Sequence, residues 1–238
     1  MAGQKSYGQF CPVAKSAELL CKRWTMLVIR ELLDGPLGFN DIRSGVLLMS
    51  RSLLSARLVE LEQSGLLRHI SAAPGRRAGY ELTEAGYALL PVVEAMGHWG
   101  QEWIEPDLTV GDIDFGYLLW SLRRSVRRVP EMPESFLVRL HFTDAPDGHD
   151  LHWLSYRGPD IDICHSDPGG EVDVWIECEV VAFTEIWMGW RSFSSSLRDQ
   201  RLVIDGPRQF TQDPFRWLGR SRLAAIGKRP RAERVKPV

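Results

Sequence analysis

The segment from Ser50 to Gly65 restricts the fold of this chain more than any other part of the sequence. Ser50 is a favourable helix N-cap, because its hydroxyl can accept a hydrogen bond from an unpaired backbone N–H of the first turn. Gly65 can end the helix in a left-handed conformation. Leucines recur at helical spacing between these two residues and predict one buried stripe, formed by Leu54, Leu58 and Leu61. We therefore expect a capped helix with one buried and one exposed face.

Shorter helices are predicted ahead of this segment. Pro12 suits the first position of a helix, since its missing N–H would be unpaired there anyway. Apolar residues at helical spacing predict a second helix over residues 24–32, which Gly35-Pro36 would stop, and a brief third one over residues 40–43. A short helix, a turn and a longer capped helix form the order of a helix-turn-helix motif.

A β-hairpin is predicted directly after the long helix. Residues 66–70 and 79–83 have strand character, and the turn between them carries Pro74-Gly75 followed by Arg76 and Arg77. A hairpin in this position is the wing of a winged helix. Thr83 is then expected to cap a long helix that continues to about Ile104, with Pro91 as a point where it bends. Its apolar residues exceed what a small domain can cover, so a second copy of the chain is the simplest partner.

The charge is distributed unevenly along the chain. Residues 1–106 carry equal numbers of acidic and basic residues, whereas residues 107–215 contain 19 acidic and 10 basic residues and have a net charge of −9. The acidic region is therefore excluded as a polyanion-binding surface. The last 23 residues have a net charge of +7. We expect three parts: a winged helix-turn-helix domain (1–106), a second domain (107–227) and a basic, disordered tail (228–238) that adds nonspecific attraction to DNA.

The second domain is predicted to be an α+β domain. Apolar and polar residues alternate in several segments separated by Asp, Gly and Pro, which favours a mostly antiparallel sheet. These segments are 136–142, 151–156, 160–164 and 172–178. Helical patterns before and after them complete a layered α+β fold.

The N-terminal part resembles the HxlR-type transcriptional regulators over about residues 9–104. The motifs that carry the resemblance are Cys11-Pro12-Val13, Lys22-Arg23-Trp24-Thr25, Gly38–Arg43, Leu54–Glu62 and Tyr80–Gly86. The resemblance implies a homodimer formed through the N-terminal helix and the helix at 83–104, with two recognition helices in successive major grooves of double-stranded DNA. Cys21 departs from the family pattern, in which a small residue is expected.

Candidate DNA contacts follow from the buried stripe, since the first turn of a recognition helix reaches base edges. Arg51, Ser52 and Ser55, next to the cap Ser50, are expected to bind base edges or nearby phosphates, and Leu53 is suited to a thymine methyl group. Phosphate or minor-groove contacts are expected from three further arginines, Arg57, Arg76 and Arg77. The alternative for each arginine is a solvated surface charge.

Cys11 is a candidate redox-sensing residue. A thiol at a helix start is close to unpaired N–H groups, which stabilise the thiolate. Several HxlR-type proteins use a cysteine at the matching position as an oxidant or electrophile sensor. The alternative is a small, half-buried cap residue.

The C-terminal part resembles a sterol-carrier-protein-like domain over about residues 113–224, on Asp167-Pro168-Gly169, the strand 172–178, Trp187-Met188-Gly189 and the Gly206 turn. This resemblance implies an apolar tunnel for a lipid-like molecule. We expect its lining among five aromatic residues, for which ordinary core packing is the alternative. These are Trp153, Trp175, Phe183, Trp187 and Trp190.

Other classes of protein are not expected. The four cysteines form no C-x-x-C pair, no histidine lies at a zinc-ligand spacing, and no nucleophile motif or phosphate loop is present, so we expect no metal, cofactor or enzymatic activity. No segment approaches the ~20 apolar residues of a membrane span, so a cytoplasmic protein without membrane contact is predicted. The leading hypothesis is a DNA-binding regulator whose second domain binds an apolar small molecule. The alternatives are a regulator with a structural second domain that senses through Cys11, and a lipid-transfer protein with a vestigial winged helix.

Overall fold

The computed structural model describes residues 6–73 and 77–236. The chain divides into two compact units, Met1–Met96 and Gly97–Val238. The boundary lies about ten residues before the one expected at residue 106, inside a helix. None of the helices in the described part is long and apolar enough to cross a membrane.

The first unit contains the predicted winged-helix elements in the predicted order. They are α1 (Pro12–Leu20), α2 (Thr25–Leu32), α3 (Phe39–Ser44), α4 (Arg51–Gln63), β1 (Leu67–Ile70), β2 (Gly79–Leu82), α5 (Glu84–Tyr87) and the start of α6 (Leu90–Trp103). The leucine stripe of α4 is fully buried, together with Val28, Ile29, Leu32 and Ile42 from α2 and α3. Burial of one such side chain contributes about 1.5–3 kcal/mol. The stripe therefore fixes the orientation of α4 about its own axis.

The prediction of a single helix from Thr83 to Ile104 is wrong, because the structure has two helices there. Thr83 caps α5, since its Oγ1 accepts a hydrogen bond from the N–H of Gly86 at 3.2 Å. The next turn tightens, with the N–H of Leu89 bonded to the carbonyl of Gly86 at 3.1 Å. Pro91 has no N–H to donate to the preceding turn, so a new helix begins at Leu90 and places the proline in its first turn.

The second unit is built on a five-stranded sheet. Its strands are β3 (Ser135–Phe142), β4 (Leu151–Arg157), β5 (Asp160–Cys164), β6 (Val174–Cys178) and β7 (Leu202–Asp205), in the spatial order β5-β4-β3-β6-β7. The helices are α7 (Phe115–Ser125), α8 (Val180–Trp187), α9 (Phe193–Arg198), α10 (Arg208–Thr211) and α11 (Phe215–Leu218), with 3-10 turns at Val110–Asp112 and Arg231–Glu233. This is the expected α+β class.

The sheet is mixed, which corrects the prediction of a mostly antiparallel sheet. Neighbouring strands pair in antiparallel fashion at β3–β4, β4–β5 and β6–β7, but the central pair β3–β6 is parallel. The segment 165–173 returns from the end of β5 to the opposite end of the sheet, so that β6 starts at the same end as β3. Alternating hydrophobicity identifies strands but contains no information about their direction.

One face of this sheet forms the core of the second unit. Val174, Ile176 and Cys178 of β6 point into it, whereas Trp175 and Glu177 point to the other face. The core side is covered by side chains from α7, α8, α10 and α11, including Leu122, Phe183 and Trp217. The unit thus has helices on one face and a second face with exposed polar and aromatic side chains.

The basic tail has a different structure from the disordered one expected. Within the described residues up to 236, Val235 and Trp103 are joined by a backbone hydrogen bond of 2.8 Å, and Arg234 is paired with Glu105 at 2.7 Å. Arg229 pairs with Glu102 at 2.7 Å. Acidic residues at the end of α6 therefore neutralise cations that the sequence alone left unpaired.

The wing is held close to the loop before α3. Leu37 and Tyr80 exchange two backbone hydrogen bonds of 3.0 and 2.9 Å. A Cβ added at Gly79 would lie 2.5 Å from the carbonyl oxygen of Leu37, closer than atoms can approach. Gly79 is thus required for this three-segment arrangement.

We expect Gly79→Ala to lower the free energy of unfolding by about 1–3 kcal/mol, because β2 must move away from Leu37. Urea unfolding followed by circular dichroism measures this change. Gly100→Ala is the matched control, since its added Cβ meets its nearest atom at 3.7 Å in a helix, where alanine is favoured. Unchanged stability of Gly79→Ala would contradict the close approach.

Candidate nucleic-acid interface

The N-terminal half of α4 presents a polar surface. Ser50 caps the helix, with its Oγ accepting a hydrogen bond from the N–H of Leu53 at 3.3 Å. Arg51, Ser52 and Ser55 are exposed, as expected, because the buried stripe turns them outward. Leu53 is 39% exposed and lies between them. This surface offers a guanidinium group, hydroxyl groups and one apolar side chain within two helical turns.

Arg57 differs from these residues. Only 11% of its side chain is exposed, and its Nη1 donates to Oε2 of Glu60 at 2.7 Å. The same oxygen accepts a hydrogen bond from Nζ of Lys22, in the turn between α1 and α2, at 3.1 Å. Arg57 therefore lies beside the interface in an ion-paired conformation rather than as a free phosphate ligand.

The hairpin β1–β2 extends beside α4. Its strands pair in antiparallel register from Leu67↔Leu82 to Ile70↔Gly79. Arg77 is exposed at the start of the returning segment. Pro74, Gly75 and Arg76 lie outside the described residues. On the strands, Arg68 pairs with Glu81 at 2.7 Å, and the rings of His69 and Tyr80 meet edge to face.

A buried ion pair supports the helices behind the interface. Glu31 of α2 is 2% exposed and accepts two hydrogen bonds from Arg30, at 2.9 and 2.7 Å. Arg30 also donates to the carbonyl of Gly45, which follows α3. A side chain at Gly45 would collide with the Glu31 carboxylate, since its Cβ would lie 2.1 Å from Cδ. The pair thereby joins α2 to the end of α3.

Comparison with known proteins identifies this arrangement. A family model described as HxlR-like helix-turn-helix matches residues 19–108. The chain is 36% identical over 100 residues to the uncharacterized HTH-type transcriptional regulator YvaP of Bacillus subtilis, covering 41% of this chain and 93% of YvaP. It is 39% identical over 102 residues to the HTH-type transcriptional regulator YodB of the same organism, covering 42% of this chain and 91% of YodB. The chain belongs to the HxlR-like helix-turn-helix family.

A solved structure is also similar to the HxlR-like part. The reduced form of YodB from B. subtilis has 36% sequence identity and a TM-score of 0.37, and the match covers 42% of this chain and all of that one. The family model's match to residues 19–108 contains α2 to α6 and therefore the α4 surface described above.

Cys11 precedes α1 as its N-cap residue and is half buried. The backbone N–H groups of Ala14 and, to a smaller extent, Val13 lower the pKa of its thiol below the ordinary value, and burial partly opposes this effect. Lys15, the nearby cation, is paired with Glu18 at 3.3 Å. The helix start, rather than a neighbouring charge, is thus the cause of the lowered pKa.

An apolar groove lies on the HxlR-like unit, on the side formed by α1, α2 and the start of α6. Its volume is about 440 Å³. Its residues include Val13, Leu20, Trp24, Val92 and Met96. Val13 is 76% and Met96 is 54% exposed. Two of these helices, α1 and α6, lie in the segments for which the family resemblance predicts a contact with a second copy.

The five aromatic residues expected to line an apolar pocket do not come together. Phe183 is buried in the helix-covered core. Trp153 and Trp175 flank Arg139 in the sheet register and lie on the opposite face, where Trp175 is 44% exposed and stacks with Arg139 at 4.7 Å. Nε1 of Trp187 donates to Ser125, and Nε1 of Trp190 donates to Gln101. Strand alternation thus places Trp153 and Trp175 on the sheet face opposite Phe183.

No group of three or more His, Cys, Asp or Glu side chains in residues 6–73 and 77–236 is placed to hold a metal ion. The sequence reasoning missed two charged residues beside the interface, Lys22 and Glu60. Both occur in the motifs that carry the family resemblance, but they are 38 residues apart, so no local pattern predicts that they pair.

We expect the thiol of Cys11 to react with iodoacetamide with a pH midpoint below about 8.5, the value of an unperturbed cysteine. Thiolate is the reactive form, and the helix start stabilises it. Peptide-resolved mass spectrometry follows each cysteine separately, with exposed Cys21 as the internal comparison. A midpoint for Cys11 at or above 8.5 would contradict this effect.

Proposed function

We propose that this protein is a transcriptional regulator that binds double-stranded DNA with α4 in the major groove. The observation that carries the proposal is the outward face of the first two turns of α4, where Arg51, Ser52 and Ser55 are exposed because the leucine stripe is buried. Membership of the HxlR-like helix-turn-helix family supports it, as does the similarity to two proteins named as transcriptional regulators.

The residues of the interface have distinct roles in this proposal. Arg51 donates hydrogen bonds to base edges, while Ser52 and Ser55 bind bases or neighbouring phosphates. Leu53 contacts a thymine methyl group. The wing binds phosphates or the adjacent minor groove through Arg77 and, outside the described residues, Arg76.

The proposed regulator acts as a homodimer through the apolar groove. Large apolar side chains exposed on α1, α2 and α6, among them Val13, Leu27 and Met96, support an interface with a second copy. Two copies related by a two-fold axis would bind two half-sites about 10 base pairs apart. The operator is then expected to be a two-fold sequence.

The proposal does not include an apolar ligand in the second unit, because the expected lining residues lie on different faces of the sheet. The resemblance to sterol-carrier-like domains stays a prediction for this unit.

A second candidate function is thiol-based sensing by Cys11. The lowered pKa of this thiol favours reaction with oxidants or electrophiles. Cys11 also directly precedes α1, one of the helices of the proposed dimer interface, so modification there would act on the arrangement of the two copies.

We expect Arg51→Ala to weaken binding to the selected operator by about 1–3 kcal/mol and to relax specificity at one base position. We expect Arg77→Ala to weaken binding to all sequences and to flatten the salt dependence by about one unit. Operators selected from random duplex DNA, followed by fluorescence anisotropy at several salt concentrations, provide the measurement.

Arg198→Ala is the charge-matched control for both variants, since Arg198 is exposed on α9 in the acidic second unit. It is expected to bind like the wild type. If the purified wild type selects no sequence and shows no salt-dependent binding, the proposal is wrong.

We expect the double change Val92→Glu with Met96→Glu to convert the dimer into a monomer, because two charges would be buried in the apolar interface. Sedimentation velocity measures the molecular mass. The control is Val203→Glu, which places a charge at an exposed apolar position of β7. A wild type that sediments as a monomer at all concentrations would contradict the dimer.

A further inference from the structure

The ion-paired cluster of Lys22, Arg57 and Glu60 lies on the flank of α4. Its centre is Oε2 of Glu60, which accepts hydrogen bonds from Nη1 of Arg57 at 2.7 Å and from Nζ of Lys22 at 3.1 Å. Glu60 is 46% exposed, and Lys22 is 28% exposed. The carboxylate is thus open to solvent and shared between two cations.

Arg57 is incompletely hydrogen-bonded in this cluster. A guanidinium group has five donors in a planar fork and binds an oxyanion best through two parallel hydrogen bonds. Here Nη1 donates to one carboxylate oxygen of Glu60, while Nε is buried without a hydrogen-bond partner. A buried donor without a partner raises the free energy of this conformation. A phosphate that offered two oxygens would satisfy Arg57 better than Glu60 does.

Lys22 makes such an exchange favourable. When one partner of an ion pair is removed, the remaining charge loses its stabilisation. If Arg57 moves to a phosphate, Glu60 keeps the ammonium group of Lys22 as its partner at 3.1 Å. The carboxylate would therefore stay paired after Arg57 had moved.

Arg57 is placed to make the exchange. It follows exposed Leu53 by one turn on the same side of α4, and Glu60 follows it at the next turn. With α4 in the major groove, as proposed above, an arginine on this side of the helix would face the phosphates that border the groove, whereas Ser52 and Ser55 lie on the neighbouring strip.

We propose that Glu60 is a specificity-determining residue, because it competes with DNA phosphates for Arg57 and thereby weakens binding to DNA of arbitrary sequence. This inference rests on the proposed DNA-binding function. When DNA binds closely against α4, one of its phosphates lies within hydrogen-bond distance of Arg57 and replaces Glu60 as its partner. Loosely bound DNA meets Arg57 in its paired conformation and gains nothing from it.

The test uses a random-sequence duplex of 30 base pairs and the full-length protein. Glu60→Gln keeps the size of the side chain but removes its charge. We expect this variant to bind the duplex about two- to five-fold more tightly, in line with the strength of an exposed ion pair. Its salt dependence should become steeper by up to about one unit, as one more phosphate contact forms.

The double variant Glu60→Gln with Arg57→Ala separates the competition from a simple change of charge. Without Arg57 there is no guanidinium to release, so the double variant is expected to bind the duplex no more tightly than Arg57→Ala alone. Glu94→Gln is the matched control, because it removes one exposed carboxylate from α6 and is expected to leave binding within about two-fold of the wild type. Thermal unfolding of every variant shows whether the fold is retained, and Glu60→Ala serves as a second variant.

The outcomes distinguish this inference from the proposed function. If wild-type protein binds no DNA at low salt, the proposed function itself fails. If it binds, but Glu60→Gln and Glu60→Ala bind the random duplex like the wild type, Glu60 is only a structural ion pair and the inference is wrong. The inference is also wrong if Glu94→Gln binds the random duplex as tightly as Glu60→Gln does. It is wrong, too, if Glu60→Gln still raises the affinity in a protein that carries Arg57→Ala.

Discussion

The burial of three leucines on α4 is the interaction on which the arrangement of the interface depends. Leu54, Leu58 and Leu61 are buried in one cluster with residues of α2 and α3. Their burial stabilises the unit by several kcal/mol, far more than any polar contact on the exposed side of the helix. Since the side chains of a helix are fixed relative to one another, burial of one stripe determines which residues face outward. The polar surface that the proposed function needs is thus a consequence of apolar packing.

Charged residues then fix the finer positions of the helices. The buried Glu31 would be costly without a partner, and Arg30 provides one while also binding the carbonyl of Gly45. This pair joins α2 to the end of α3. Glu60 joins α4 to the turn before α2 through Lys22 and holds Arg57 at the same time. The carboxylate of the first pair is buried, whereas the carboxylate of Glu60 is open to solvent and shared between two cations.

Much of the first unit could be predicted from the sequence, and less of the second. The Ser50 cap, the leucine stripe and the hairpin depend on residues within one or two turns, so their patterns are visible in the sequence. The same reasoning joined α5 and α6 into one helix, because Pro91 is compatible with the first turn of a helix as well as with a bend. In the second unit, alternation located the strands, but the parallel β3–β6 pair depends on how the segment 165–173 crosses the sheet.

The sequence by itself determined the local elements, the outward face of α4 and the candidate DNA contacts on its first turns. Only the tertiary structure decided that Glu60 meets Lys22, that the tail binds the end of α6, and that the expected pocket residues lie on separate faces. The physical reason is the distance along the chain. Periodicity and capping arise from neighbouring residues, whereas these pairings join residues between 38 and 129 positions apart and depend on how whole elements pack.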